Sequence, residues 1–221
     1  MIVDTLSFSS AVATAVHHGA VVYPCATTDD LPALGARYNA ELAVRRHEVP
    51  AKGRFSLSPL TYVGVAPGTA IVIASPNGAV CSAVGRRAPH LLVGALNNAR
   101  AVAAAVSSLL DRTALGVTVV ACGERWKSPT EDGEIRFAIE DYLGAGAILA
   151  RLSHTRSPEA RACAAAFVGA REDLPQIIED CGSGRELRAM GFGQDAVHAA
   201  RLDCYDAVPV MRGERLERLV P

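Results

Sequence analysis

Four short apolar runs in this chain each end at small polar or acidic residues, where carboxylates and amides could act together on a phosphate group or a metal ion. The residues at these ends are Asp4, Asn77, Asn97, Asn98 and Glu124. Such Val- and Ile-rich runs are typical of buried parallel strands. In open α/β sheets ligands bind just beyond the carboxyl ends of the strands, where loop amides and helix N-termini offer unpaired donors to an anion. The pattern therefore predicts an active-site edge.

Asp4 is the first candidate for chemistry. A carboxylate at the end of an apolar strand, followed by the hydroxyls of Ser7 and Ser9, suits a Mg²⁺ ligand or a nucleophile that accepts a phosphoryl group. The alternative is that Asp4 only caps the next turn. Spacing alone does not decide between the two.

The Ser-Pro-Asn-Gly segment at residues 75–78 is the second candidate. Asn77-Gly78 marks a tight turn, and between a strand and a helix its amides could form a nest for an anion. A plain strand-to-helix turn is the commoner explanation. The segment lacks the Gly-x-x-x-x-Gly-Lys pattern of a nucleotide-binding loop, so no motif favours an NTPase. Of Asn97 and Asn98, one is expected to cap a helix and the other to reach a ligand.

Acids in the second half of the chain complete the candidate set. Glu124 and Arg125 follow a strand, where they could serve a metal and a phosphate respectively, or form a surface pair. On a predicted helix over residues 134–152, Glu140 lies four residues after Arg136 and could make an ion pair on a solvated face. Asp141 lies on the apolar face instead, where an acid is costly unless it is paired or bound to a metal.

Two further features have a functional and an ordinary explanation. Five basic residues near a long irregular segment could steer an anionic substrate, although a solvated loop is the commoner reason for such a cluster. They are Arg45, Arg46, His47, Lys52 and Arg54. Cys122, at a strand end, could be a nucleophile, but a packed core thiol is the simpler interpretation.

Composition excludes several classes of function. The chain has 221 residues, half of them apolar, with few aromatic residues and a net charge of -1, so neither nucleic-acid stacking nor phosphate-backbone binding is favoured. Its six cysteines show no CxxC pair and are expected to be reduced thiols. No signal peptide or membrane helix is expected, and we predict a cytoplasmic protein that could form a homodimer. The first strand starts almost at Met1, which is consistent with a truncated or misassigned N-terminus.

The elements that must position these residues predict an α/β fold. Strands are expected near residues 2–5, 20–23, 69–74, 91–96 and 117–122, with helices between them. After residue 153 only helices are expected, until a last edge strand near 208–211. The fold class is therefore a three-layer α/β/α arrangement with a mixed, largely parallel sheet and a helical C-terminal part. We expect a single domain over residues 1–221, strand-rich in 1–122 and helix-rich in 134–205.

Several motifs resemble, in order and spacing, those of the 2-phosphosulfolactate phosphatase (ComB-like) family. They are VDTLSFS at 3–9, FSLSP at 55–59, SPNG at 75–78, GALNNA at 94–99, CGERW at 122–126, AIEDYLGAGAI at 138–148 and CGSGREL at 181–187. The resemblance implies an α/β/α fold and a Mg²⁺-dependent phosphatase that releases phosphate from 2-phospho-3-sulfolactate, a step toward coenzyme M in methanogens. The substrate could instead be a related small 2-phospho-hydroxy acid.

The resemblance also implies roles for individual residues. Asp4, Asp141 and Glu124 are expected to be catalytic, and Asp4, Glu140 and Asp141 to hold Mg²⁺. The expected substrate-binding residues are Ser7, Ser9, Asn77, Gly78, Asn98 and Arg125. The chain departs from the family pattern near Arg45, where a glycine is usual, and at Asn97, where a basic residue is usual. The alternative hypothesis is therefore a noncatalytic small-anion binding or regulatory protein that retains the fold, and a third is a cysteine-dependent hydrolase.

Overall fold

A computed structural model of the chain describes residues 1–126 and 134–220. Its strands are β1 (Ile2–Val3), β2 (Val21–Cys25), β3 (Glu41–Leu42), β4 (Ala70–Ala74), β5 (Val93–Gly94), β6 (Val120–Ala121), β7 (Glu124–Arg125), β8 (Ile135–Arg136), β9 (Pro209–Arg212) and β10 (Arg215–Arg218). Its helices are α1 (Phe8–His17), α2 (Leu31–Tyr38), α3 (Gly78–Gly85), α4 (Ala99–Arg112), α5 (Ile139–Leu149), α6 (Pro158–Ala170), α7 (Leu174–Asp180), α8 (Gly182–Ala189) and α9 (Gly193–Ala199).

The strands form two principal sheets that are joined at one point. In the first, β1 lies between β5 and β6, and all three strands are parallel. The second has the order β3-β4-β2-β10-β9, with β2, β3 and β4 parallel and β10 antiparallel to its neighbours. An isolated antiparallel bridge between Leu92 and Val210 connects β9 to the segment before β5. The predicted α/β class, with mostly parallel strands and a helical C-terminal part, is confirmed.

Two hydrophobic cores lie on opposite faces of β1. Val3 packs into a core with side chains of α4, α5, α6 and the short C-terminal helices. Its neighbour Ile2 packs into a second core with α1, β2 and β4. Successive side chains of a strand point to opposite faces, so a strand of two residues is enough to serve both cores. β1 therefore has helices on both sides, and Asp4, the next residue, emerges between them.

Helix starts follow the capping signals of the sequence. Asp30 caps α2, with its side chain accepting a hydrogen bond from the backbone N–H of Ala33. Ser157 caps α6 in the same way, and Pro158 occupies the first helical position. A side-chain oxygen at the cap satisfies one of the unpaired N–H groups of the first turn, and proline there lacks an N–H that would go unused. Local sequence therefore determines where both helices begin.

The region before α5 differs from the prediction. The expected helix over residues 134–152 begins only at Ile139, because Ile135–Arg136 forms strand β8, which pairs antiparallel with β7. Arg136 is therefore not on a helical face with Glu140, and it pairs instead with Glu186. The residues between β7 and β8 from 127 to 133 lie outside the described residues. The predicted last edge strand is present as β9, but it is followed by β10, which the sequence analysis did not predict.

Within the described residues, none of the helices is both long enough and apolar enough to cross a lipid bilayer.

Candidate active site

Asp4 is held at the end of β1 by hydrogen bonds to both of its carboxylate oxygens. Oδ1 accepts from the backbone N–H of Phe8 at 3.2 Å, and Oδ2 accepts from the backbone N–H of Gly78 at 2.8 Å. Asp4 also donates its own N–H to the Ser9 hydroxyl at 2.9 Å. The turn that starts α1 thus fixes the carboxylate from one side, and the first residue of α3 fixes it from the other.

Gly78 is required here because α3 approaches β1 closely. A Cβ atom at position 78 would lie 2.7 Å from Asp4 Oδ2, and it would overlap the ring of Phe8. Glycine avoids both contacts and lets its N–H reach the carboxylate. The sequence pattern marked this residue, although for a different partner: its N–H was expected to bind substrate, and in the structure it binds Asp4.

Asp141 lies beside Asp4, and its carboxylate connects two backbone segments. Oδ1 accepts from the N–H of Thr5 at 2.7 Å, and Oδ2 accepts from the N–H of Gly123 at 3.0 Å. Residue 141 is in the first turn of α5, where the helix dipole favours a negative charge. The acid on the apolar face is therefore paired with amides next to the candidate site.

Burial and mutual repulsion oppose ionisation of both acids. The side chains of Asp4, Glu140 and Asp141 are only 2–3% exposed. Burial raises the pKa of Asp4 to about 7, with further upward contributions from the charges of Glu124 and Glu140 and a downward contribution from the two amide hydrogen bonds. Burial, followed by the charges of Asp4 and Glu140, raises the pKa of Asp141 well above its usual value. Acids in such a state are characteristic of functional sites.

A cavity of about 180 Å³ opens in front of Asp4. Its lining includes the candidate residues Asp4, Ser7, Asn77 and Glu124, together with Ser75 and Arg46. The Asn77 amide donates to Glu124 Oε1 at 2.8 Å, which joins the loop after β4 to β7. Glu124 is half-buried, so its carboxylate reaches the cavity without being withdrawn from solvent.

Arg46 supplies positive charge to this cavity. Its Nε donates to Asp195 Oδ2 at 2.8 Å, and one terminal nitrogen donates to the Ser7 hydroxyl at 2.5 Å and to the Leu57 carbonyl at 3.2 Å. Asp195 is buried and also accepts from the Ser58 hydroxyl at 2.5 Å. A guanidinium fixed in this way is ready to accept an anion, because little side-chain entropy remains to be lost.

Sequence reasoning noted Arg46 only as one member of a basic cluster and missed Asp195 altogether. Arg46 and Asp195 are 149 residues apart in the sequence, and neither lies in a pattern typical of an active site. One signal was present: Asp195 stands in the first turn of a short helix together with apolar residues that pack into a core. A buried acid of that kind needs a cationic or hydrogen-bonding partner.

A second arginine binds two of the residues that line the cavity. Arg136, at the end of β8, donates to the Ser183 hydroxyl at 3.2 Å and to Glu186 Oε1 at 3.0 Å. Ser183 and Glu186 are on α8 and line the cavity together with Leu187 and Met190. The helical C-terminal part thus contributes one wall of a site whose acids come from the strand-rich part.

Three residues expected to bind substrate are placed elsewhere. The Ser9 hydroxyl accepts from the N–H of Asp4 and is fully buried, so it supports the acid. The Asn98 side chain accepts from the N–H of Ala95 and donates to the Ala207 carbonyl, which occupies both of its ends with backbone groups. Arg125 is exposed, and its backbone N–H bonds to Glu124. None of the three is among the described residues that line the cavity.

The carboxylates of Asp4, Glu140 and Asp141 are the groups that could bind a divalent cation. Among the described residues no three His, Cys, Asp or Glu side chains are grouped closely enough to hold a metal by themselves, so Asp4, Glu140 and Asp141 do not form a preassembled cage. Oε2 of Glu140 is buried without a hydrogen-bond partner in the described residues. Mg²⁺ is commonly held by one or two carboxylates and keeps several waters. The unpaired oxygen and the uncompensated acid charge fit a hard cation of this kind.

Two cysteines lie next to the acids. Cys81 is on α3 and Cys122 follows β6, and both pack against the core that contains Ile2. The mutual influence of the two thiols is the main reason why the pKa of Cys81 is lowered to about 7, and it raises the pKa of Cys122. Among the described residues that line the cavity there is no cysteine, and the cysteine-dependent hydrolase gains no support from this geometry.

The arrangement joins buried acids, amide donors and a fixed guanidinium around one small cavity. Acids that resist ionisation bind a cation or a proton, and the guanidinium with its neighbouring hydroxyl binds an anion. A small molecule that carries two anionic groups would meet both requirements at once. Hydrolysis of a phosphate ester is the chemistry most directly served by these groups.

Comparisons with known proteins agree with this interpretation. The family model described as 2-phosphosulpholactate phosphatase matches residues 1–214. A "Probable 2-phosphosulfolactate phosphatase" of Gloeobacter violaceus is 34% identical over 214 residues, covering 94% of this chain and 85% of the relative. The "2-phosphosulfolactate phosphatase" of Methanothermobacter thermautotrophicus is 30% identical over 218 residues, covering 98% of this chain and 88% of the relative.

Proposed function

The chain belongs to the 2-phosphosulpholactate phosphatase family, and we propose that it hydrolyses the phosphomonoester of 2-phospho-3-sulfolactate, or of a related small 2-phospho-hydroxy acid, with the help of Mg²⁺. The membership makes it a phosphatase, that is, a phosphoric monoester hydrolase. The observation that carries the proposal is the pair of buried acids, Asp4 and Asp141, beside a cavity that Arg46 also lines. The domain is proposed to extend over the whole chain.

The size and charge of the cavity support a small dianionic or trianionic substrate. A volume of about 180 Å³ is too small for a nucleotide and sufficient for a short hydroxy acid with its phosphate. Arg46 and the Ser7 hydroxyl that it contacts would take one anionic group. The Asn77 amide would take an oxygen of the other. The sequence analysis expected Asn98 and the Gly78 amide to bind the substrate as well. We leave them out of the proposed binding site, because the Gly78 N–H is bonded to Asp4 and the Asn98 side chain to backbone groups.

Asp4 and Asp141, with Glu140 close by, would hold Mg²⁺. When bound, the ion would polarise the phosphoryl group and neutralise charge that develops on its oxygens. Glu140 offers the unpartnered Oε2, and Asp4 and Asp141 each have a lone pair on every oxygen beyond the one used by an amide. The amides of Gly78 and Gly123 keep the two carboxylates in a fixed orientation throughout the reaction.

Asp4 is the residue to which we assign the central acidic role. Its carboxylate lines the cavity, whereas Asp141 and Glu140 are not among the described residues that line it. Glu124 also lines the cavity and accepts a hydrogen bond from the Asn77 amide, so it would orient that amide toward the substrate. Arg46 binds and positions the substrate, and Asp195 fixes Arg46.

Phosphate release from a panel of small phosphate esters tests the proposal. The panel contains 2-phospho-3-sulfolactate, 2-phospholactate and a neutral phosphate monoester, each assayed with Mg²⁺ and with excess EDTA. We expect release with Mg²⁺, loss of release with EDTA, and preference for esters that carry a second anionic group next to the phosphate.

The outcomes separate the hypotheses. Binding of the panel compounds without turnover, measured by calorimetry, would favour the noncatalytic anion-binding alternative. Turnover that survives EDTA and is stopped by thiol alkylation would favour the cysteine-dependent hydrolase. Equal rates for the charged and the neutral ester would remove the role given to Arg46.

Two coarser expectations are carried forward as part of the proposal. A cytoplasmic location is supported by the six cysteines, all of which are free thiols. A homodimer is supported by apolar side chains left exposed near β8, since Ile135 is 70% and Phe137 is 68% exposed. Analytical ultracentrifugation at several protein concentrations tests the dimer.

A further inference from the structure

The CGSGREL motif forms the start of α8, and the hydrolysis proposed above gives it no role. Cys181 caps the helix, and its sulfur accepts a hydrogen bond from the N–H of Gly184 at 3.3 Å. A Cβ atom at position 184 would overlap the backbone of α7, and one at position 182 would lie 2.6 Å from a terminal nitrogen of Arg136. The absence of a side chain at Gly182 therefore lets the guanidinium of Arg136 lie against the first turn of α8.

The motif also places a hydroxyl group at the wall of the candidate active site. Ser183 is 4% exposed, and it lines the same cavity as Asp4. Its oxygen accepts a hydrogen bond from Arg136 Nη2 at 3.2 Å, and no described residue accepts a hydrogen bond from its proton. A serine hydroxyl has one proton to donate in addition to its lone pairs. The Ser183 proton can therefore be donated to a molecule in the cavity.

The same arrangement of serine, arginine and acid occurs at Ser7, at the start of α1. The Ser7 oxygen accepts a hydrogen bond from Arg46 at 2.5 Å, and again no described residue accepts one from its proton. Asp195 holds the Arg46 guanidinium in an ion pair. Glu186 holds Arg136 in the same way. Two hydroxyls, each polarised by a fixed arginine, thus reach one cavity from separate parts of the chain.

The surroundings of Ser183 favour an anionic acceptor for its proton. Ser183 is in the first turn of α8, where the helix dipole favours negative charge. The Arg136 side chain is only 10% exposed, so solvent screens its charge less than that of a surface residue. The Glu186 side chain also lines the cavity but is 43% exposed, so solvent weakens its repulsion of an anion. A sulfonate or carboxylate oxygen is therefore the best partner for this hydroxyl.

We propose that Ser183 binds a third anionic group of the substrate, in addition to the phosphate and the anionic group at Arg46, and so selects esters that carry this group. Arg136 is a positioning residue, because it acts by fixing the Ser183 hydroxyl. Ser7 and Ser183 share a cavity of about 180 Å³, so one small molecule can contact both. The inference rests on the proposed function for the reaction that follows binding, but the binding itself does not require turnover.

Phosphate release from three esters tests the selectivity. 2-Phospho-3-sulfolactate and 2-phosphomalate carry the third group as a sulfonate and a carboxylate respectively, and 2-phospholactate lacks it. The ratio of kcat/KM for either of the first two esters to that for 2-phospholactate therefore measures the contribution of this group. We expect Ser183→Ala to lower the ratio about tenfold, mainly through KM, because a hydrogen bond to a charged group is lost. The ester with the larger fall identifies the group that the site prefers.

Two further variants control this measurement. Ser108→Ala makes the same change on an exposed position of α4, and it should leave the ratio as it is in the unmodified protein. Arg136→Gln should lower the ratio about fivefold in the unmodified sequence and should have no further effect when Ser183 is already alanine. A merely structural role of Arg136 would not give that dependence, and losses that add in the double variant would overturn its positioning role.

Calorimetric binding of the unphosphorylated acids separates this inference from the proposed function. In the presence of Mg²⁺ we expect 3-sulfolactate or malate to bind more tightly than lactate, and Ser183→Ala to remove that preference. Protein that shows the preference but releases no phosphate from any ester would refute the proposed function and support the binding site. An unchanged or raised ratio in Ser183→Ala, or equal loss of turnover for all three esters, would overturn the inference, provided that circular dichroism shows the variant folded.

Discussion

Asp4 is the single side chain whose loss should stop the reaction while leaving the fold in place. We predict that Asp4→Asn lowers Mg²⁺-dependent phosphate release by about 10²-fold or more. An amide carries no charge for a cation, and its NH₂ group cannot accept the hydrogen bond from Phe8 or Gly78 that the carboxylate oxygens accept. Steady-state phosphate release measures the effect.

Asp30→Asn is the matched control for this substitution. Asp30 is exposed and caps α2, where asparagine serves equally well. The Asp30→Asn variant should release phosphate at the rate of the unmodified protein. Near-normal turnover of Asp4→Asn would refute the role of Asp4, provided that circular dichroism shows both variants folded.

Arg46 should determine affinity for the substrate more than the rate of its conversion. We predict that Arg46→Lys raises KM about tenfold, a loss of about 1.4 kcal/mol in binding, with a smaller change in kcat. A lysine ammonium is a point charge and cannot bond Asp195 and Ser7 at once, as the guanidinium fork does. Substrate-saturation curves give the two constants.

The neighbouring Arg45 offers a control with the same chemistry. Its side chain is exposed, and Arg45→Lys should leave KM unchanged. If Arg45→Lys and Arg46→Lys raised KM equally, the effect would be long-range charge steering and not binding in the cavity. A fall in kcat alone for Arg46→Lys would place the guanidinium in the chemical step.

Single residues were easier to identify from the sequence than their partners. Asp4, Asn77 and Glu124 were recognisable because each follows an apolar run, and all three line the cavity. The role of Asp195 was not recognisable, because it depends on how segments far apart in the chain pack together. A hydrogen bond between residues 46 and 195 leaves no periodic signal in the sequence.

At the scale of elements, α5 is the helix that carries two of the acids, and close packing against α6 holds it in place. Gly146 makes this possible: a Cβ there would overlap the Cys163 carbonyl oxygen and lie 2.8 Å from the Phe167 Cβ. Because the obstacle includes backbone, it cannot be relieved by a rotamer change. We predict that Gly146→Ala lowers the free energy of unfolding by about 2 kcal/mol or more, measured by urea denaturation.

Gly169→Ala is the control within the partner helix. A Cβ at position 169 has no neighbour within 4 Å among the described residues. Alanine is the better helix former, so this substitution should leave stability unchanged or raise it by up to about 1 kcal/mol. Equal destabilisation by both substitutions would mean that helix propensity, not the approach of α5 to α6, governs the result.

Elements with strong local signals were predicted well, and those defined by long-range pairing were not. The caps of α2 and α6 and the strands β2 and β4 follow from residues within a few positions of each other. The first residues of the expected helix before α5 belong to β8 because they pair with β7. β10 was not predicted, because it lies between β2 and β9 in the sheet and so depends on pairing between segments from both ends of the chain.

At the scale of the whole molecule, the site exists because two parts of the chain enclose it. β1, α1 and α3 present Asp4 and its amides, while α5 supplies Glu140 and Asp141 and α8 supplies a wall of the cavity. Bringing these parts together buries acids whose charges repel. The energy required must come from the two hydrophobic cores on either side of β1. Stability and function are therefore in opposition here, and a bound cation would relieve the conflict.

This opposition predicts how stability depends on pH and on Mg²⁺. The pKa of Asp4 is about 7 in the folded protein, above its ordinary value in the unfolded chain, and that of Asp141 is raised in the same direction. At a pH between the pKa of each acid in the unfolded chain and its higher pKa in the folded protein, the folded state binds more protons than the unfolded state. The contribution of the pair to the stability of the metal-free protein is fully present below the unfolded pKa, and it is lost as pH rises through about 7. Acids with lowered pKa, such as Glu41, act oppositely only at more acidic pH.

We therefore predict that Mg²⁺ raises the melting temperature strongly at about pH 8, where the carboxylates are ionised and repel, and weakly at about pH 5, where protons already occupy them. Differential scanning fluorimetry with MgCl₂, against KCl of equal ionic strength, separates binding from screening. Asp4→Asn should abolish most of the Mg²⁺ effect at the higher pH, and Asp30→Asn should not. An equal Mg²⁺ effect at the two pH values would show that the cation binds away from the buried acids.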